Sequence, residues 1–460
     1  MTPLRAVMRW DARTLARSRA AWIALVVLSV ATGLGVCSGA RFRARWSDEA
    51  THERRLEQES RREHLALLAE NDPRAAMPMF IDTKIALPPA PLAELIVGRG
   101  DLDPRGANVS AFSHRGSLFR DYQTASPVAL AIGRFDLGFV VVYLFPLIVI
   151  ALGYGLLSDE RDRGLDRLLA VHGVSRWRLA LGRVALRSVL VAAPLIAGVA
   201  TIFLVEEPTV DRAARCAVAM VAILGYAGFW WSLVLVVASS RLREGTSLLA
   251  LLVAWVVVVL IVPAIVGAVT KTTHPAPSRF ALIAASRSAE VAAATRAQQL
   301  IGGYVHDHPE MDPKATGAPP AFAQRSFVVA REIDEAVKPI VAEFDHALEA
   351  QQTAVARFQL LSPALLVHRT LSSIAGTDET RALAFRAQAR TFAHDWRETV
   401  GSLGMRGVTV DAAMVTSRPE LDFVEPPLGD TLGVVAPPIA MLWGFTLLAG
   451  FAAFRRLRRD

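Results

Sequence analysis

Residues 137–157 read LGFVVVYLFPLIVIALGYGLL, and residues 158–169 read SDERDRGLDRLL. The first stretch has no charged residue in twenty-one positions, whereas the second has seven in twelve. At a rise of ~1.5 Å per residue, the first stretch forms a helix of ~30 Å, the thickness of a bilayer's hydrocarbon core. The second is too charged to enter that core and must lie at its surface. This abrupt change from uncharged to charged sequence sets the class of the chain.

Five further apolar stretches, at about 21–40, 179–205, 213–238, 247–269 and 431–454, repeat the pattern. The expected fold is therefore an all-α membrane protein with a six-helix transmembrane bundle. Of the 460 residues, 53% are hydrophobic and 20% charged, and the charges lie between the apolar blocks. The net charge of +7 could suit a nucleic-acid partner. Here the basic residues crowd the flanks of the apolar blocks, which argues for membrane orientation and no nucleic acid. The Arg-rich segments are the N-terminus (1–20), the 158–178 loop, the short loop after residue 238 and the 455–460 tail. By the positive-inside rule they share the cytoplasmic side of a bacterial inner membrane, with both termini there. Residues 41–135 and 270–430 then lie on the periplasmic side as two helical insertions forming one domain.

Within 1–20, Arg5, Arg9, Arg13 and Arg17 recur every fourth position beside Leu4, Val7, Met8 and Leu15. This is the pattern of a helix lying on anionic membrane lipid. Gly35 and Gly39 form a small-xxx-small pair that permits close helix packing. Cys37 and Cys216 are read as two small apolar side chains. In the second insertion, Ile333, Val337, Val341, Phe344, Leu348, Val355 and Phe358 recur at helical spacing, which predicts a long amphipathic helix ending near Ser362-Pro363. A second helix is predicted over 378–401.

The apolar stretches hold almost no ionisable side chain. Asp136 stands at the outer end of the second, and Arg183 and Arg187 at the inner end of the third, where they are expected to snorkel to the headgroups. Ion-driven transporters keep a charged relay inside their spans, so that engine is not expected here. A P-loop needs Gly-Lys followed by Ser or Thr. None of the four lysines, Lys84, Lys271, Lys314 and Lys338, follows a glycine. ATP-driven work would therefore come from another subunit. The first cytoplasmic loop is where such a subunit could act, because Leu165, Leu168 and Leu169 give a short helix one apolar face that could seat in a partner's groove. The same face could equally rest on the membrane.

In this loop Glu160, Arg161, Gly164, Leu165, Leu168 and Leu169, then Val174-Ser175-Arg176 and Gly182-Arg183, resemble the ABC-2 type transporter permeases. Phe135-Asp136-Leu137, Tyr143 to Leu147, Ser362 to Leu365 and Gly376-Thr377-Asp378 resemble a branch of that family with a large periplasmic insertion of unknown role, related to multi-copper enzyme maturation permeases. Asp166 and His172-Gly173 depart from the pattern. The resemblance implies that the 158–178 loop, through Glu160, Arg161, Gly164, Leu165, Leu168, Leu169 and Arg176, receives the stroke of a separate ABC ATPase. That subunit would bind ATP and Mg, with no cofactor in this chain. It also implies a second permease copy or a paralogue; with the uncharged spans and the lever-like loop, the expected function is an exporter, or a permease that works mechanically on its periplasmic domain.

The alternative is a non-transporting membrane scaffold whose large insertions bind a periplasmic partner. His306-Asp307-His308-Pro309-Glu310 is the one sequence candidate for a metal. Neighbouring loop residues rarely converge on one ion, so no metal site and no catalytic residue is assigned.

Overall fold

The structure is a computed structural model describing residues 3–119, 134–157, 175–240, 242–275, 278–296, 306–307 and 321–459. Helix α1 (Pro3–Arg17) is followed by α2 (Arg19–Ala69), one unbroken helix of 51 residues. Ser18 separates them with an extended backbone, and its hydroxyl accepts the Ala21 N–H as an N-cap. Nothing in 41–69 breaks a helix, since that stretch lacks Gly and Pro, so α2 continues ~76 Å at ~1.5 Å per residue. It ends where Asn71 adopts a positive φ of 58°.

A two-stranded antiparallel sheet follows, β1 (Thr83–Ala86) paired with β2 (Gly106–Val109) in the register Thr83↔Val109. Then come α3 (Leu137–Gly153), α4 (Arg176–Leu204), α5 (Val210–Ser239), α6 (Glu244–Thr273), α7 (Arg279–Thr295), α8 (Ala321–Phe358), α9 (Pro363–Ala375), α10 (Glu379–Met405), α11 (Ala412–Thr416) and α12 (Leu428–Arg459). Among the described residues, α2, α4, α5, α6 and α12 are long and apolar enough to cross a membrane. The sixth expected span is shorter: helix α3 stops at Gly153, and turns occupy 154–157.

Helix α5 is the axis of the bundle. Of its most apolar window 56% is buried, against 17% for α6 and for α12. Small residues make this possible. A Cβ at Gly225 would stand 3.0 Å from the Trp443 indole nitrogen, and Gly225 also gives its carbonyl to the Thr446 hydroxyl at 2.9 Å.

Two of the apolar helices are interrupted by a π-turn followed by proline: Val140–Leu144 before Pro146 in α3, and Val256–Ile261 before Pro263 in α6. Proline lacks the N–H that a carbonyl four or five residues earlier would accept. Side chains supply the missing donors. The Tyr226 hydroxyl donates to the Val142 carbonyl at 3.0 Å, and the Ser362 hydroxyl to Val258 at 2.8 Å. The Trp255 indole N–H donates to the adjacent Tyr143 carbonyl at 3.2 Å.

A second core lies beyond the bundle. Phe42 and Trp46 of α2, Ile85 and Val109 of the strands, and Phe385, Ala389, Trp396 and Val400 of α10 share it, so the two insertions form one body. Two expectations change here. The first insertion is not wholly helical: Thr83 and Ile85 alternate inward along β1, and the Pro-rich segment after it prevents a helix. The second insertion is not wholly outside the bundle: α9 places Val367, Leu371 and Ile374 in the same core as α3, α4 and α5. The predicted amphipathic helix is α8, with Ile333, Val337 and Val341 buried, and the helix predicted over 378–401 is α10, beginning after Asp378. Cys37 and Cys216 are both free.

Candidate functional site

Helix α1 presents two faces. Arg9, Arg13 and Arg17 are exposed, each one turn from the next. Asp11 lies two positions from Arg9 and Arg13, hence ~160–200° around the helix, and is only 1% exposed. Leu15 packs into the bundle core on the inner side. At the joint with α2, the Trp22 indole donates to the Ala16 carbonyl at 3.0 Å.

Asp11 meets two arginines of α4 that stand one turn apart. Arg187 donates to its carboxylate from Nη2 at 3.0 Å, and Arg183 Nε lies 3.6 Å from Oδ1. The same arginines donate to the last carbonyls of the α3 segment: Arg183 to Leu156 at 2.6 Å and Arg187 to Leu152 at 2.5 Å. Such carbonyls have no partner within the helix, and a guanidinium satisfies both charge and geometry. Both guanidiniums turn inward onto Asp11, and Arg183 is 3% exposed; the single carboxylate offsets one of their two charges.

This clamp sits at both roots of the 158–174 segment. Leu152 and Leu156 precede the segment, Arg183 and Arg187 follow it, and Asp11 ties both sides to α1. A small apolar cluster beside the clamp, with Leu156, Leu157, Leu179, Leu235, Ala453 and Leu457, joins α4, α5 and α12 to the same point. Trp177 meets Phe454 edge-on at a ring-centroid distance of 4.8 Å. What the arrangement can do is mechanical, because a displacement of the segment's roots must move α1, α3 and α4 together.

Of the sequence-predicted contact residues, Glu160, Arg161, Gly164, Leu165, Leu168 and Leu169 lie outside the described residues. Arg176 is half-buried and opens α4 after the extended Ser175. Gly35 and Gly39 are both buried, and what they touch is specific. A Cβ on Gly35 would meet the Asp136 carbonyl carbon at 2.9 Å, at the start of α3. A Cβ on Gly39 would stand 1.9 Å from the Glu94 carbonyl oxygen, a non-helical segment. Sequence reasoning missed Asp11. The available signal was that it is the sole acidic residue among the first 47, opposite an arginine stripe. His306 and Asp307 of the metal candidate are exposed, while His308 and Glu310 lie outside the described residues. Among the described residues no group of three or more His, Cys, Asp or Glu is placed to hold a metal.

Residues 279–423, from α7 through α11, match the family model described as a domain of unknown function, DUF3526. No curated protein and no solved structure matches the chain.

Proposed function

We propose that this chain is the membrane-spanning permease subunit of an ATP-binding-cassette exporter of the ABC-2 type, driven by a separate cytoplasmic ATPase. One observation carries the reading: the buried Asp11–Arg183–Arg187 clamp fixes both roots of the 158–174 segment to α1, α3 and α4. A loop that only connected two helices would not need its roots held by buried charge, which is costly to desolvate. A loop that is pushed would need a stiff seat of this kind.

In this reading α3 is the sixth span, the termini and the clamp face the cytoplasm of a bacterial inner membrane, and the shared second core is periplasmic. The apolar face of Leu165, Leu168 and Leu169 seats in the ATPase, and Glu160, Arg161 and Arg176 make charged contacts around it. A second permease copy or a paralogue completes the membrane unit, and lipid covers the remaining apolar faces.

The test is co-purification with a co-expressed ABC ATPase. Leu165→Asp or Leu168→Asp should abolish co-purification. Asp11→Asn should lower ATP turnover of the recovered complex by about tenfold, the equivalent of about 1.4 kcal/mol. Undiminished association and turnover in all three variants would reject the reading. Retention of a periplasmic protein by a chain that binds no ATPase would favour a membrane scaffold instead.

A further inference from the structure

The bonds that repair the two proline breaks run in series. Helix α3 is gripped near one end by Arg187 at Leu152, and in its middle by Tyr226 and Trp255 at Val142 and Tyr143. Trp255 is also the residue immediately before the π-turn of α6, so its indole ties one break to the other. Ser362, fully buried, donates to Val258 inside that second break and also caps α9, accepting from Leu365 N–H. Helix α9 belongs to the matched family stretch. Its far end is held by Arg215 of α5, which donates to the Ile374 carbonyl at 3.0 Å. From Asp11 to α9, side-chain bonds alternate with two stretches of helix backbone, Leu152 to Tyr143 in α3 and Trp255 to Val258 in α6, and each of those stretches enters a π-turn.

We infer that the two proline breaks are a relay that couples the Asp11 clamp to helix α9, with Tyr226, Trp255 and Ser362 as its positioning residues. A π-turn holds one extra residue in its ladder and can pass into regular helix by a small register shift. Apolar surroundings offer no water to replace a lost donor, so each freed carbonyl depends on the side chain it is given. A shift of α3 therefore trades the Val142 and Tyr143 bonds. That moves Trp255 and with it the break in α6, and Ser362 passes the change to the cap of α9. Two discrete arrangements linked by shared bonds are what coupling between distant sites requires.

Use of the relay by an ATPase rests on the function proposed above, but the coupling itself can be tested without one. The measurement is hydrogen–deuterium exchange of the full chain in lipid nanodiscs, read at residues 176–187 and 363–375. Asp11→Asn loosens the clamp and should raise exchange at 176–187 and, by about threefold, at 363–375. The second response should vanish when Asp11→Asn is combined with Tyr226→Phe and Trp255→Phe, or with Ser362→Ala, each compared with its own Asp11 background. Ser362→Thr, which keeps the hydroxyl, should retain it. Monodisperse elution of every variant checks that it is folded, and Trp255→Phe alone serves if the paired change is not. A response confined to 176–187 overturns the relay, as does a 363–375 response that survives loss of the three donors. Failure to bind an ATPase would reject the function and leave the exchange result standing.

Discussion

Asp136 does two jobs with one carboxylate. Oδ1 accepts the Phe139 N–H at 2.7 Å and caps α3; Oδ2 accepts the Val97 N–H at 2.8 Å and ties α3 to the first insertion. Burial pushes its pKa up to about 6 from 3.8, against the opposing pull of these N–H donors. The folded state thus holds the proton more tightly than the unfolded one. Its stability contribution is greatest below pH ~4, declines as pH rises through ~6 and is flat above, a change of about 3 kcal/mol. Thermal unfolding in detergent should show wild type losing stability between pH 4 and 6 by more than Asp136→Asn, which cannot titrate. Parallel profiles would refute the assignment. The glycines give a second test at this scale. Gly39→Ala forces a methyl into the Glu94 carbonyl and should cost about 3 kcal/mol or prevent accumulation. Gly33→Ala meets nothing within 4 Å and should be neutral or slightly stabilising, as alanine is the better helix former.

Where elements meet at the insertion end of the bundle, arginines close the open ends of helices. Arg212 donates to the Ile202 carbonyl near the end of α4, to the Pro91 carbonyl and to Glu94 at 2.9 Å. Glu94 is 1% exposed and also lies 3.3 Å from Arg43 of α2. Removing Arg212 leaves buried Glu94 with Arg43 as its remaining counter-charge and frees the Ile202 and Pro91 carbonyls. Arg212→Met should therefore cost about 3 kcal/mol, and adding Glu94→Gln should recover a large part. Guanidine unfolding of the four combinations measures this, and additive losses would argue against a shared network. The helices themselves were legible because their signals are local: apolar runs for the bundle, the 333–341 periodicity for α8, and Asp378 followed by helix formers for α10. The strands were not, since four residues of alternation between prolines fall below any reliable pattern. Nor was the place of α9. Its Val367, Leu371 and Ile374 mark an apolar face, but a sequence does not say whether that face meets its own domain or the bundle. The clamp was half legible: Arg183 and Arg187 stood out as charges at a span's edge, while their partner lay 172 positions from the nearer of them on another helix.

Across the whole molecule, the two cores are stitched together through single residues. In the segment 92–97, Leu92, Leu95 and Ile96 belong to the bundle core, whereas Ala93 and Val97 belong to the second core. Helix α2 contributes Leu28 and Val36 to the first and Phe42 and Trp46 to the second. Polar bonds also join the two insertions to each other: Arg386 pairs with Asp103, and buried Asp334, held by Arg397 of its own insertion at 3.0 Å, accepts the Arg115 N–H at 2.8 Å. The stretch that matches the family model, 279–423, therefore holds only part of each core. Taken alone, it would expose Phe385, Ala389, Trp396 and Val400 where Trp46, Ile85, Leu87 and Val109 now cover them, and Val367, Leu371 and Ile374 where the bundle does. At about 1.5–3 kcal/mol for each large apolar side chain, that loss approaches or exceeds the 5–15 kcal/mol that holds an ordinary domain folded. A polypeptide of residues 279–423 should consequently show helix without a cooperative thermal transition, whereas the full chain in detergent should melt both cores in one step. A sharp, reversible transition in the isolated stretch would mean that it is a domain in its own right and that its ties to α2 and the bundle are docking contacts rather than shared core.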